Sequence, residues 1–179
     1  MKKLSAIFWG AVALLALTST AASAQVAWVS GGYTVQGWRG DNWNDFQGFG
    51  ADFGYRFHKT SRTAGAFYVD FSRNAISTDI DEETDTAVVG GFREFFLTDK
   101  RIQPFAHASI GNMHWVDVLP FDDRGNDLLL GGGFGAMYKI TDAWGAKAQW
   151  DFWKPREDGV WSDPISRWYF AAVYSWGGK

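Results

Sequence analysis

From Gly135 to Trp153 the chain reads GAMYKITDAWGAKAQWDFW, and every second residue sorts into two lists. Ala136, Tyr138, Ile140, Trp144, Ala146, Ala148, Trp150 and Phe152 are apolar; Lys139, Lys147, Gln149 and Asp151 stand between them. Period-two alternation is the signature of a strand whose faces meet different surroundings. Tryptophan on one face and full charges on the other constrains those surroundings sharply.

The same pattern recurs along the chain. It predicts eight strands at about 26–38, 46–58, 63–73, 86–97, 102–116, 127–140, 144–154 and 166–176, separated by turn residues. Phe49, Ala51, Phe53, Tyr55 and Phe57 alternate with Gly50, Asp52, Gly54, Arg56 and His58. In the last segment Trp168, Phe170, Ala172, Tyr174 and Trp176 share a face. In the fourth, AVVGGFREFFL, the period slips between Arg93 and Phe96, as a bulge would make it. Links after the second, fourth and sixth segments are tight, whereas RGDNWND, NAISTDIDEETD, LPFDDRGN and KPREDGVWSDPI are long. Short turns at one end and long loops at the other describe an up-and-down membrane barrel with both termini on the periplasmic side.

A soluble sandwich also alternates, so the charges must decide the phase. Asp52, Arg56, Asp70, Arg93, His107, Lys147 and Asp151 fall out of phase with the aromatics. Turning Arg56 and Lys147 into hydrocarbon would cost roughly 2–4 kcal/mol each near the midplane. They are therefore assigned to a lumen network, in a space only just wide enough for side chains. Gly50, Gly54, Gly131, Gly133, Gly135 and Gly145 suit that narrow space. Phe53, Phe57, Phe67, Phe71, Tyr138, Trp144, Trp150, Trp168 and Trp176 are assigned to the lipid face, several of them near strand ends where an aromatic girdle belongs. Trp28, Trp38, Trp115 and Trp153 have lumen parity and read as plugs or loop anchors. The fold class that follows is all-β: an eight-stranded antiparallel up-and-down transmembrane β-barrel.

Residues 1–24 are a different object. Lys2 and Lys3, an apolar run from Leu4 to Leu17 and Ala22-Ser23-Ala24 predict a secretory signal peptide, leaving 25–179 as one barrel domain. The absence of cysteine excludes disulfides and thiolate metal sites, and a net charge of −3 gives no nucleic-acid footprint.

Four stretches, FGADFGYRF, IQPFAHASIG, GGGFGAMYKITDAWGAKAQWDF and RWYFAAVYSWGG, resemble the outer-membrane β-barrel (OmpA-like, porin-family) group of Gram-negative bacteria. The likeness spans nearly all of 25–179 and implies an outer-membrane location more than an activity. Two departures matter. Members usually finish on an aromatic, whereas Trp176 is followed by Gly177, Gly178 and Lys179. No peptidoglycan-binding domain follows the barrel, so a wall-tethering role does not carry over.

Other constellations are weaker. His107 and Ser109 share a face of the fifth strand, with Glu94 on the neighbouring one; a hydrolase needs all three groups within reach. Outer-membrane lipid A deacylases carry Ser, His and Glu on such a barrel, but on a later strand and facing lipid. His58, His107 and His114 are too far apart along their strands to share a metal. GGGFG lies inside a strand and lacks the helix a phosphate cradle requires. Arg39-Gly40-Asp41 matches an integrin-binding tripeptide and reads as loop punctuation. Asp79, Asp81, Glu82, Glu83 and Asp85 are read as an acidic surface loop, with further carboxylates in the later loops.

The sequence thus predicts a small monomeric barrel without catalytic, cofactor or metal site, serving envelope integrity or surface interaction. Its expected partners are outer-membrane lipid and lipopolysaccharide, with divalent cations at the acidic loops and no nucleic acid. A narrow passive channel and a lipid-modifying hydrolase are the rival readings, and a soluble lipocalin-like binder the last.

Overall fold

The computed structural model describes residues 26–38, 46–60, 62–77, 82–117, 123–157 and 159–177. The signal-peptide reading of 1–24, the Arg39-Gly40-Asp41 tripeptide, Asp79 and Asp81 lie outside the described residues. The strands are β1 (Val26–Trp38), β2 (Phe46–Lys59), β3 (Thr63–Ser77), β4 (Glu82–Phe96), β5 (Ile102–Asp117), β6 (Asp123–Lys139), β7 (Trp144–Glu157), the two-residue β8 (Val160–Trp161) and β9 (Ile165–Gly177). Each long strand pairs antiparallel with its neighbours in sequence, and β9 returns to β1 from Val26↔Gly177 to Trp38↔Ile165. The sheet is a closed barrel of eight long strands. β8 pairs only with the outer end of β7.

Inward and outward residues alternate along the strands of the wall, with one break on β2. On β2, Asp52, Gly54 and Arg56 are buried inside while Phe49, Ala51 and Phe57 are exposed outside. On β9, Arg167, Tyr169 and Val173 point in and Trp168, Phe170, Tyr174 and Trp176 point out. The outer rings touch across strands: Phe57 stacks on Phe67 (4.8 Å), Phe134 meets Trp150 (5.1 Å) and Trp144 meets Tyr174 (5.0 Å).

Three tight turns close one end. The amide of Thr60 donates to the carbonyl of Thr63, and the Thr60 hydroxyl accepts from the Thr63 amide. Leu97 adopts a positive φ of 52° in the turn after β4. After β6, the Thr141 hydroxyl accepts from the Trp144 amide.

Two expectations are corrected. β4 holds one register with both neighbours from Glu83 to Phe95, so no bulge lies between Arg93 and Phe96. Phe95 simply points inward, and the aromatic run reflects a lumen that also takes rings. The irregularity falls instead between Arg56 and His58 on β2, where Phe57 has no partner on β3. Gly65 makes room there: a Cβ on it would lie 3.1 Å from the Phe57 ring and 3.3 Å from Phe92.

The second correction concerns the long links. β3 and β4 run on to Ser77↔Glu82, so Glu82, Glu83 and Asp85 belong to strand rather than loop. Asp85 is not at the surface: it faces the lumen, buried, and accepts from Gln36 Nε2 (2.6 Å) and Asn74 Nδ2 (3.0 Å). β5 and β6 likewise extend to Asp117↔Asp123.

Candidate functional site

The interior is a stack of side chains with a mouth at each end. Nearest the short turns is an aromatic layer of Trp28, Tyr68, Phe95, Phe105, Met137 and Val173, resting on Ala64 and Ala66. Trp28 meets Phe95 edge-on at 5.6 Å, and Phe95 lies 5.4 Å from Phe105. Glycine makes this possible: a Cβ on Gly54 would fall 2.0 Å from the Trp28 ring, and one on Gly135 2.6 Å from Phe105. Cations stack on the rings. The Arg56 guanidinium sits 4.1 Å from the Phe95 centroid, and that of Arg93 lies 4.4 Å from Tyr68 and 4.5 Å from Phe105.

The middle layer is ionic. Asp52 Oδ1 accepts from Trp28 Nε1 (2.8 Å) and Ser30 Oγ (2.9 Å), while its Oδ2 meets Lys147 Nζ and, at 3.5 Å, Arg93 Nη2. Arg93 also donates to Gln149 Oε1 (2.9 Å). Arg167 bridges two carboxylates, Asp70 (2.8 Å) and Asp151 (2.7 Å). The other oxygen of Asp151 engages His107 Nε2 and Gln149 Nε2, each at 2.8 Å. Taking such charges out of water costs several kcal/mol per ion, recovered only where pairing and further hydrogen bonds are good. Above lies a second apolar layer of Ala87, Val89, Met113, Leu129, Trp153 and Ile165, with Arg167 4.3 Å over the Trp153 ring. Gln36, Asn74 and Asp85 cap it.

The structure thus brings together Asp52, Arg56, Asp70, Arg93, His107, Lys147 and Asp151, all buried. Phe57, Phe67, Tyr138, Trp144, Trp168 and Trp176 are exposed on the outside, with Phe53, Phe71 and Trp150 half-buried among their neighbours on the same face. Reasoning from sequence missed Arg167, although strand parity placed it inward; Gln149, read on the charged face of its strand, and Gln103 join the same interior as hydrogen-bond partners of Arg93 and Arg56. It also missed the inward rings of Phe95, Phe105 and Tyr169.

The constellation of His107, Ser109 and Glu94 does not assemble. Glu94 has outward parity, opposite Ala106, while His107 is committed to Asp151. The Ser109 hydroxyl accepts from Trp153 Nε1 at 3.3 Å. Among the described residues, no group of three or more His, Asp or Glu is placed to hold a metal ion.

The mouths differ in sign. A cavity of about 400 Å³ at the short-turn end is lined by Arg56, Lys59 and Lys139, with Asp142. At the opposite end a cavity of about 300 Å³ is lined by Glu83, Asp117, Asp127, Glu157 and Trp115.

A closed barrel with ionic groups inside and a belt of rings outside defines a bilayer-spanning β-barrel. The chain belongs to the outer membrane protein beta-barrel domain family, whose model matches residues 10–158, and its place is the outer membrane. Among solved structures it is similar to Neisserial surface protein A (TM-score 0.61, 13% identity, 87% of this chain and 97% of that one). It is also similar to Ail, the attachment invasion locus protein of Yersinia pestis, solved with the heparin analogue sucrose octasulfate (TM-score 0.62, 12% identity, 86% and 99%). The N-terminal barrel of Pseudomonas aeruginosa OprF aligns with a TM-score of 0.51 at 13% identity, over 85% and 97%. At these identities the likeness is one of fold. No curated protein matches the sequence. The short-turn end is accordingly periplasmic and the opposite mouth faces outward.

Proposed function

We propose that this chain is a non-catalytic, monomeric barrel that acts through its surfaces, in envelope integrity or surface interaction, and not through its lumen. The observation that carries this reading is the filled interior, with an aromatic layer, an ionic layer and a second apolar layer in series. An ion crossing it would have to displace Trp28, Phe95 and Phe105 and then break the carboxylate pairs of Lys147 and Arg167. Planar-bilayer recordings of the purified protein test it: no steady conductance is expected, and a stable open level would establish the narrow-channel reading instead. The absence of catalysis is supported by the engagement of His107 and Ser109 with Asp151 and Trp153. A Ser109→Ala variant is expected to leave the lipid A profile of intact cells unchanged.

At the outer mouth, Glu83, Asp117, Asp127 and Glu157 favour cations over sulfated polyanions of the kind bound in the Ail structure. These carboxylates do not form a metal site by themselves among the described residues, so a hard divalent cation would take one or two of them and complete its oxygen ligands from lipopolysaccharide phosphates. Chelating divalent cations on intact cells is expected to raise protease sensitivity of the outer hairpins; unchanged sensitivity would remove this partner.

A further inference from the structure

We propose that the periplasmic mouth of the barrel is a binding site for a phosphate group, with Arg56 at its base and Lys59 and Lys139 at its rim. Arg56 is the exception among the buried cations. Arg93, Lys147 and Arg167 each pair with a carboxylate. Arg56, only 3% exposed, donates from Nη2 to the neutral Gln103 Oε1 (2.9 Å) and lies 3.9 Å from Met137 Sδ. Its Nε has no partner, and among the described residues no carboxylate lies within 4.0 Å of it. Gln103 is a neutral amide and supplies no counter-charge; its Nε2 donates to the Thr98 carbonyl at 2.7 Å, which fixes its Oε1 toward Arg56. The Phe95 ring, 4.1 Å from the guanidinium, offsets part of the cost of burying this charge, and an anion entering from the mouth would supply the missing counter-charge.

The surroundings are open to one. Arg56 lines the cavity of about 400 Å³, where Lys59 and Lys139 add two positive charges against Asp142, the single lining carboxylate among the described residues. The hydroxyls of Thr141 and Ser175 also line it. A guanidinium offers a planar fork of donors to a tetrahedral oxyanion, and two flanking ammonium groups suit a dianion better than a monocarboxylate. The opposite mouth, lined by carboxylates, would repel the same ligand. Trp144, Tyr174 and Trp176 belong to the same rim on the outer wall. The phosphate therefore has two sources, free phosphate in the periplasm and the headgroup of a lipid in the inner leaflet.

The test uses the refolded full chain in micelles of an uncharged detergent, titrated calorimetrically with inorganic phosphate and, separately, with short-chain phosphatidic acid. Saturable one-to-one binding of either probe is expected. Tighter binding of the lipid assigns the headgroup; equal or weaker binding assigns free phosphate. The Lys59→Ala/Lys139→Ala double variant, altered only at the rim, is expected to bind at least about tenfold more weakly. Arg56→Gln is expected to abolish binding, with heat-dependent gel mobility checking that each variant is folded. No saturable binding of either probe, or binding undiminished in the double-lysine variant, would overturn the proposal.

Discussion

Asp52 is where the polar interior is most concentrated, because one carboxylate serves Trp28, Ser30, Lys147 and Arg93 together. Replacing it with asparagine removes the charge and keeps the shape, leaving Lys147 buried without a counter-ion. Breaking a buried pair from one side costs about 3–5 kcal/mol, whereas removing both charges costs far less. Asp52→Asn is therefore expected to lower stability by that amount in urea titrations from detergent micelles, with Asp52→Asn/Lys147→Met recovering most of it. Gly54 carries the opposite lesson, since its importance is an absence of atoms. With the Trp28 ring 2.0 Å from where a Cβ would stand, Gly54→Ala must displace the indole or the strand. Overpacking of this kind costs about 1–3 kcal/mol. The loss is expected to shrink in a Trp28→Phe background, a coupling that a double-mutant cycle would measure.

Strand by strand, the sequence shows the barrel wherever the two faces of a strand meet different media. Within the hydrocarbon, Lys147, Gln149 and Asp151 alternate with Ala146, Ala148 and Trp150, and β7 is unmistakable. Beyond the bilayer both faces are polar and the period vanishes: Asn74, Asp85 and Asn126 read as loop although all three lie in ladders. A spanning strand needs about 9–11 residues. β5 and β6, from Ile102 to Asp117 and from Asp123 to Lys139, exceed that and carry their pairing out into water. The lumen network was legible by parity for Asp52, Arg56 and Lys147, while Arg167 shared that parity beside a run of aromatics that drew attention outward. Trp28 and Trp153 had lumen parity in the sequence, but the inward rings of Phe95 and Phe105 were hidden for a different reason. A narrow lumen excludes such rings only until glycines such as Gly54 and Gly135 are counted as space. The same element logic sets the cost of a charge. Phe134, exposed at 57% and packed on Trp150, is on the lipid face, so Phe134→Arg is expected to cost about 2–4 kcal/mol in unfolding free energy. Asn126→Arg, at the wet end of the same strand, is expected to stay within about 0.5 kcal/mol.

For the molecule as a whole, layered packing of the interior and closure without an edge are the two properties no single strand possesses. The aromatic and upper apolar layers are separated by ion pairs, so on the proposed non-channel reading the loss of one layer would leave the others in place. Trp28→Ala is accordingly expected to destabilise the barrel by about 3–5 kcal/mol and still show no steady conductance in a planar bilayer. Closure rests on the seam between β1 and β9, which joins the first strand to the last. In water a frayed edge is satisfied by solvent, but in hydrocarbon each unpaired N–H or C=O costs several kcal/mol. A few such losses exceed a typical stability of about 5–15 kcal/mol. Ala172 stands in mid-strand between Gly31 on β1 and Ala146 on β7, so a proline there removes a donor from the wall and strains β9 against both neighbours. Ala172→Pro is expected to abolish the folded, heat-modifiable gel band. Val160→Pro is the matched control: β8 pairs only with the outer end of β7, and Val160 is 70% exposed. It should fold and migrate as the wild type does. If the two prolines were equally tolerated, the ladder would not be what holds the wall shut against lipid; if both prevented folding, the outer hairpin would be part of the same cooperative unit as the barrel.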